Sequence, residues 1–95
     1  MAAYVIVNIV VEDAASYEEY KGPAAATVTA YGGRYLARGG AAEALEGNWK
    51  PRRMVVLEFP SAARAREWWS SAEYAPLKAL RQRCASTEMV LVEGI

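Results

Sequence analysis

The run YVIVNIVV, Tyr4 to Val11, is β-branched and apolar except for its tyrosine and Asn8. Such residues fit a pleated surface better than a helix, because their branched side chains are stiff at χ1. Alternation puts Val5, Val7, Ile9 and Val11 on one face and Tyr4, Ile6, Asn8 and Val10 on the other. Both faces are apolar, so both need a cover. The rest of the chain has to supply it.

A helix follows. Asp13 or Ser16 can cap it, and Ser16-x-x-Glu19 has the capping-box pattern. Tyr17, Tyr20, Ala24, Val28 and Tyr31 form one apolar stripe at spacings of three and four. Gly22-Pro23 is expected to kink or restart the helix, and Gly32-Gly33 to end it in a left-handed cap. Arg34 to Arg38 reads as a second strand and Arg53 to Phe59 as a third, with a loop over Ala41 to Pro51. Pro60 stops the third strand and Ser61 caps a second helix carrying Ala62, Ala65, Trp68, Trp69 and Ala72. SSAEYAP, Ser70 to Pro76, breaks that helix, and Pro76 suits the first turn of a short third one. Ser86 to Glu93 is the last strand.

The order β-α-β-β-α-β is the split βαβ pattern of an α+β, ferredoxin-like fold in one domain spanning residues 1–95. Its four-stranded antiparallel sheet carries both helices on one face. The other face would hold Ile6, Val10, Leu36, Met54 and Val56, and hydrophobic residues make up 54% of the chain. A chain this short has a thin core. A second copy packed sheet to sheet, a homodimer through the open face, would cover the surplus.

Composition narrows the function. Eleven basic and eleven acidic residues balance, which leaves no electrostatic footprint for nucleic acid or an anionic membrane. The chain has no histidine and one cysteine, Cys84, so an internal disulfide and a Cys/His metal cluster are both excluded. No apolar run approaches the ~20 residues needed to span a bilayer. The expected location is the cytoplasm, and no cofactor or metal is expected. GGRYLARGG, Gly32 to Gly40, sets glycine pairs around a strand and is not a phosphate loop.

Chemistry then rests on a few polar groups. Asn8, Arg38 and Glu58 fall on the open face by alternation, where a one-residue slip at a bulge would move them. They form either a ligand site or a structural ion pair. In a site, Arg38 would hold a carboxylate or enolate, Asn8 would orient it and Glu58 would act as base. In an ion pair, Arg38 would meet Glu58 and Asn8 would satisfy a backbone group. Trp68 and Trp69 point ~100° apart, one to the sheet and the other to the first helix or a pocket rim. Ser71 and Tyr74 stand at the helix break, where they can face a cleft. Arg81 lies nearly two turns beyond Tyr74, and the two can bind an anion together. Otherwise Arg81 pairs with Glu73 or Glu46.

GGRYLARGG, EGNWKPRRMVVLEFPS (Glu46 to Ser61), AREWWSSAEYAPLKALRQR (Ala65 to Arg83) and LVEG (Leu91 to Gly94) together resemble the uncharacterised bacterial family called domain of unknown function 1330. That resemblance implies a ferredoxin-like protomer and a dimeric α/β barrel. Wider relatives include cofactor-free monooxygenases, haem-degrading enzymes, isomerases and ligand-sensing modules. Some of those monooxygenases use an asparagine on the first strand and a tryptophan on the second helix, as Asn8 and Trp68 or Trp69 would. The haem-degrading relatives need a histidine that this chain lacks. Three readings follow. One is a cofactor-free enzyme on a small acidic or enolisable molecule, with Arg38 holding the anion, Glu58 or Tyr74 moving protons, and the tryptophans as walls. The others are a non-catalytic binder of a small metabolite and a structural dimer without ligand.

Overall fold

The computed structural model describes all residues 1–95. Its elements are β1 (Ala3–Val11), α1 (Ala14–Ala30), β2 (Arg34–Arg38), β3 (Arg53–Phe59), α2 (Ala62–Trp69), α3 (Ala75–Cys84) and β4 (Ala85–Glu93). The strands make one antiparallel sheet in the order β2-β3-β1-β4. This is the α+β, ferredoxin-like arrangement. Its central pair, β1 and β3, presents Val5, Val7, Ile9, Val55, Leu57 and Phe59 to the helices, and all six are buried.

Helix α1 starts one cap earlier than the Ser16 pattern implies. Asp13 is the N-cap and accepts from the Ser16 backbone N–H at 3.2 Å and from its hydroxyl at 2.8 Å. Ser16 therefore lies inside the first turn, and Glu19 closes no capping box. Nor does Gly22-Pro23 interrupt the helix, which is continuous over 17 residues. Both residues are exposed, so the carbonyl that Pro23 cannot serve faces water. The buried stripe Tyr17, Tyr20, Ala24 and Val28 runs past them. At the other end Gly33 N–H donates to the Val28 carbonyl and Gly32 N–H to that of Thr29, at 2.9 and 3.0 Å. With Gly32 at φ 79°, this is a Schellman cap.

The Asp13 cap gives a prediction. Hydrogen bonds from the Ser16 hydroxyl, then from its backbone, hold the Asp13 carboxyl below its ordinary 3.8. A depressed folded pKa means that this stability is fully present above the unfolded value and lost as pH falls through the folded one. Asn caps as well as Asp but does not titrate in this range. Asp13→Asn should therefore leave the urea midpoint at pH 7 nearly unchanged and flatten its decline below about pH 4. A parallel acid decline in both proteins would show that the cap charge is irrelevant.

Ser61 caps α2 by accepting from Arg64 N–H at 3.1 Å. Trp68 then docks on the sheet, its ring centroid 5.4 Å from that of Phe59 and 4.3 Å from that of Tyr74. Pro76 lies in the first turn of α3.

The register of β2 corrects one expectation. Arg34 and Tyr35 pair with Glu58 and Leu57, but Ala37 and Arg38 pair with Val56 and Val55, so Leu36 is an extra residue in a bulge. Val55 faces the helices, and so does Arg38 opposite it. Alternation across Leu36 had put Arg38 with Asn8 and Glu58 on the open face. On that face two continuous cross-strand rows remain, Ala37–Val56–Ile6–Val90 and Arg34–Glu58–Tyr4–Val92.

Candidate functional site

A cavity of about 30 Å³ lies between the helix-facing side of the sheet and helices α1 and α3. Its apolar floor is Val7, Ile9, Val55 and Leu57, and its aromatic walls are Tyr17, Tyr20, Tyr35 and Trp68. Four cations border it, namely Lys21, Arg38, Arg53 and Arg81, and no carboxylate does.

Each cation has a structural reason to be there. The Leu36 bulge puts Arg38 on the helix side of the sheet, where it stays exposed at the cavity edge; its guanidinium carbon lies 4.5 Å from the Tyr35 ring centroid and Nη2 donates to the Lys21 carbonyl at 3.2 Å. Arg53 begins β3 in phase with Val55, Leu57 and Phe59, so it too points to the helix side. Its guanidinium lies 5.5 Å from the Tyr17 ring centroid. Gly39, at φ 75°, makes room for it: a Cβ there would sit 2.6 Å from Arg53 Nη1. Arg53 Nε is buried and has no hydrogen-bond partner. Lys21 leans outward to Glu18, at 3.3 Å.

Arg81 is only 4% exposed. Its Nε donates to the Tyr74 hydroxyl at 3.3 Å, and Nη1 donates to Thr87 Oγ1. Burial works against its charge, but the Tyr74 and Tyr20 oxygens outweigh that and hold the guanidinium charged. The Tyr20 and Tyr74 hydroxyls lie 2.6 Å apart. Burial, then Tyr74, pushes the Tyr20 phenol well above the ordinary range, and burial also raises the Tyr35 phenol. Both phenols keep their protons at neutral pH. Buried charges are normally paired, because desolvation costs several kcal/mol per ion. Only Arg81 of the three guanidiniums at the cavity is buried, Arg53 being half-buried and Arg38 exposed at its edge; none has an acidic partner, and together they suit an anion that arrives from outside.

The residues singled out by sequence separate into three places. Arg38, Arg81 and Trp68 meet at the cavity. Trp68 is buried and donates from Nε1 to Thr27 Oγ1 at 3.1 Å. Tyr74 is fully buried behind Tyr20 and does not reach the cavity, so the break between α2 and α3 does not open it to a cleft. Ser71 closes that break, donating to the Trp68 carbonyl and accepting from Tyr74 N–H. Trp69 is 45% exposed beneath Lys78, whose Nζ lies 3.6 Å from its ring centroid. Asn8 and Glu58 are on the opposite face of the sheet. Asn8 Oδ1 accepts from Arg52 N–H at 3.0 Å in a shallow groove beside Trp49. Glu58 pairs with Arg34 at 2.7 Å, so neither the Arg38–Glu58 pair nor Glu58 as a base beside Arg38 is formed. Neither does Arg81 meet Glu73, which instead accepts from the Tyr31 hydroxyl at 2.8 Å.

Tyr20, Tyr35 and Arg53 were not among the sequence candidates. For Arg53 the signal was present, a charge in phase with three core positions of a strand. Tyr20 was legible only as part of an apolar stripe. No group of three His, Cys, Asp or Glu side chains is placed to hold a metal ion. No helix is long and apolar enough to cross a membrane.

Residues 2–95 match the family model described as Domain of unknown function (DUF1330). Among curated proteins none matches the chain. The fold recurs in a protein of unknown function from Rhodopseudomonas palustris, with TM-score 0.79 and 16% identity over 99% of this chain and 82% of that one. It recurs in SnoaB of Streptomyces nogalater, described as a cofactor-independent oxygenase (TM-score 0.65, 12% identity, 99% and 93% covered). A third likeness is to a dimeric ferredoxin-like protein of unknown function from Jannaschia sp. CCS1 (TM-score 0.66, 12% identity, 99% and 100% covered). At these identities the likeness is one of fold.

Proposed function

The chain belongs to the DUF1330 family, and from its cavity we propose that it binds a small organic anion, a carboxylate or the enolate of an enolisable molecule. The observation that carries this is the set Arg38, Arg53 and Arg81 around one cavity that no carboxylate lines, with Arg81 buried. Arg53 Nε, buried without a partner, is the donor left for the ligand. In the enzymatic form of the reading no metal or organic cofactor takes part. A proton leaves the carbon beside a carbonyl for water, and the guanidiniums lower the cost of the enolate that remains. Tyr20, which keeps its proton, donates to the oxyanion. The likeness to a cofactor-independent oxygenase supports this form by analogy of fold, which is a weak warrant for a reaction. The non-catalytic alternative uses the same cavity to hold a metabolite.

Two measurements test this. Calorimetric titration with benzoate and with benzyl alcohol should show binding of the acid alone. Arg53→Met should weaken it by roughly ten-fold or more, the worth of a charge-assisted hydrogen bond. Equal binding of acid and alcohol would overturn the anion reading. Proton NMR of acetoacetate in D₂O should show faster exchange at the carbon between its carbonyls when the protein is present. Binding without faster exchange would favour the passive binder.

We also propose that two copies pair through the open sheet face. The row Val56–Ile6–Val90 is apolar, and Val90 and Val92 are 59% and 43% exposed. The dimeric protein of the same fold supports this assembly. Val90→Lys adds a charge to the row at a position already open to water, so the protomer should tolerate it. Light scattering at micromolar concentration should give a dimer for the wild type and a monomer for V90K. A monomeric wild type would rule the pairing out.

A further inference from the structure

The cavity is too small for its proposed ligand as it stands. A volume of about 30 Å³ holds roughly one water molecule. An organic anion has to extend into adjoining space, and such space exists. A groove of about 490 Å³ runs between α2 and the β1–β4 side of the sheet, walled by Val5, Ala65, Trp68, Trp69, Met89 and Leu91. That volume lies within the range of small-molecule sites.

Groove and cavity share two side chains, Trp68 and Met89. Trp68 is fixed by its hydrogen bond to Thr27 and by contact with Phe59 and Tyr74. Met89 is half-buried on β4, opposite Val7, and its unbranched side chain has three rotatable bonds. It is the partition that can move. A second recess, at the start of β4, also touches Arg81 and Met89, but Gln82, Ser86 and Thr87 make its lining polar.

We infer that the ligand is an amphiphilic monoanion. Its charged head lies among Arg38, Arg53 and Arg81, its apolar body lies in the groove under α2, and Met89 is the gate between them. This rests on the anion reading of the cavity and adds the size and polarity of the remainder of the ligand. Trp69, held by Lys78, becomes a wall of the body site, and Leu91 its floor.

The test compares 2-naphthoate, benzoate and 2-naphthalenemethanol by titration calorimetry on the full chain. The naphthoate is expected to bind at least about ten-fold tighter than benzoate, from the extra apolar area buried, and the neutral alcohol far more weakly. Leu91→Trp fills the groove without touching the cavity. It should erase the naphthoate advantage, lowering naphthoate affinity by at least about ten-fold and benzoate affinity by less. In the wild type the methyl resonance of Met89 should shift with both acids and further with naphthoate, a readout independent of how L91W folds. If both acids bind equally and shift the Met89 methyl alike, the amphiphile inference fails while the anion cavity stands. If neither acid binds, both fail.

Discussion

Replacing Trp68 with alanine should cost about 3–5 kcal/mol of stability, the usual loss for a large aromatic in a core. Trp68 is 2% exposed. It is the point where three parts of the fold meet. Its ring packs on Phe59 of β3 and Tyr74 before α3, and its indole N–H reaches Thr27 on α1. Alanine would leave an apolar void and remove the donor to Thr27 Oγ1, whose hydroxyl would keep only its bond to the Ala24 carbonyl. Small domains of this kind have total stabilities of roughly 5–15 kcal/mol, so much of the margin would go. Urea denaturation followed by circular dichroism should show a much lower midpoint, or a chain unfolded without denaturant. Trp69→Ala, one residue on, removes a half-exposed ring beneath Lys78 and should cost far less. Equal losses at the two positions would overturn this placement of the tryptophans.

Arg81→Met should have the opposite signature, with binding lost and stability kept. Arg81 is buried, and its partners are two hydroxyls rather than a carboxylate. Holding that charge out of water costs the fold several kcal/mol before any ligand arrives. Methionine is long and unbranched and fills the same channel without the charge. Tyr74 keeps its bond to Tyr20, so one hydroxyl of the pair is not abandoned. The urea midpoint of R81M should equal or exceed that of the wild type. Affinity for 2-naphthoate should fall roughly ten- to a hundred-fold, since a hydrogen bond to a charged group is worth about 1.5–3 kcal/mol. A protein is expected to carry such a destabilising charge where function requires it. A loss of more than about 3 kcal/mol on R81M, the cost of breaking a buried pair, would mark Arg81 as a structural residue instead.

Much of the fold was legible along the chain because its causes are local. Period-two alternation sorted β1 and β3 correctly into core and open faces. The Gly32-Gly33 cap, the Ser61 cap and the Pro76 start are each specified within a few residues. Where local signals competed, the chain could not arbitrate. Asp13 and Ser16 both qualified as caps, and the structure uses the carboxylate of one and the donors of the other. Gly22-Pro23 read as a break, but a missing hydrogen bond is tolerated on the wet side of a helix whose other side is held by packing.

The site is the part that pattern alone could not place. Sequence by itself determined a ferredoxin-like chain with one apolar face too many, arginines that could serve either a ligand or an ion pair, and no histidine or metal cluster. Tertiary structure decided which of those arginines meet. One extra residue, Leu36, moves Arg38 from the side of Asn8 and Glu58 to the side of Arg53 and Arg81. A bulge inverts every side chain beyond it, and a short edge strand carries too few residues to reveal the slip. The closing distances, Tyr74 behind Tyr20 and Met89 between cavity and groove, come from helices packed onto a sheet by residues far apart in the chain. Alternation can say which way a side chain points, but only packing says what it finds there.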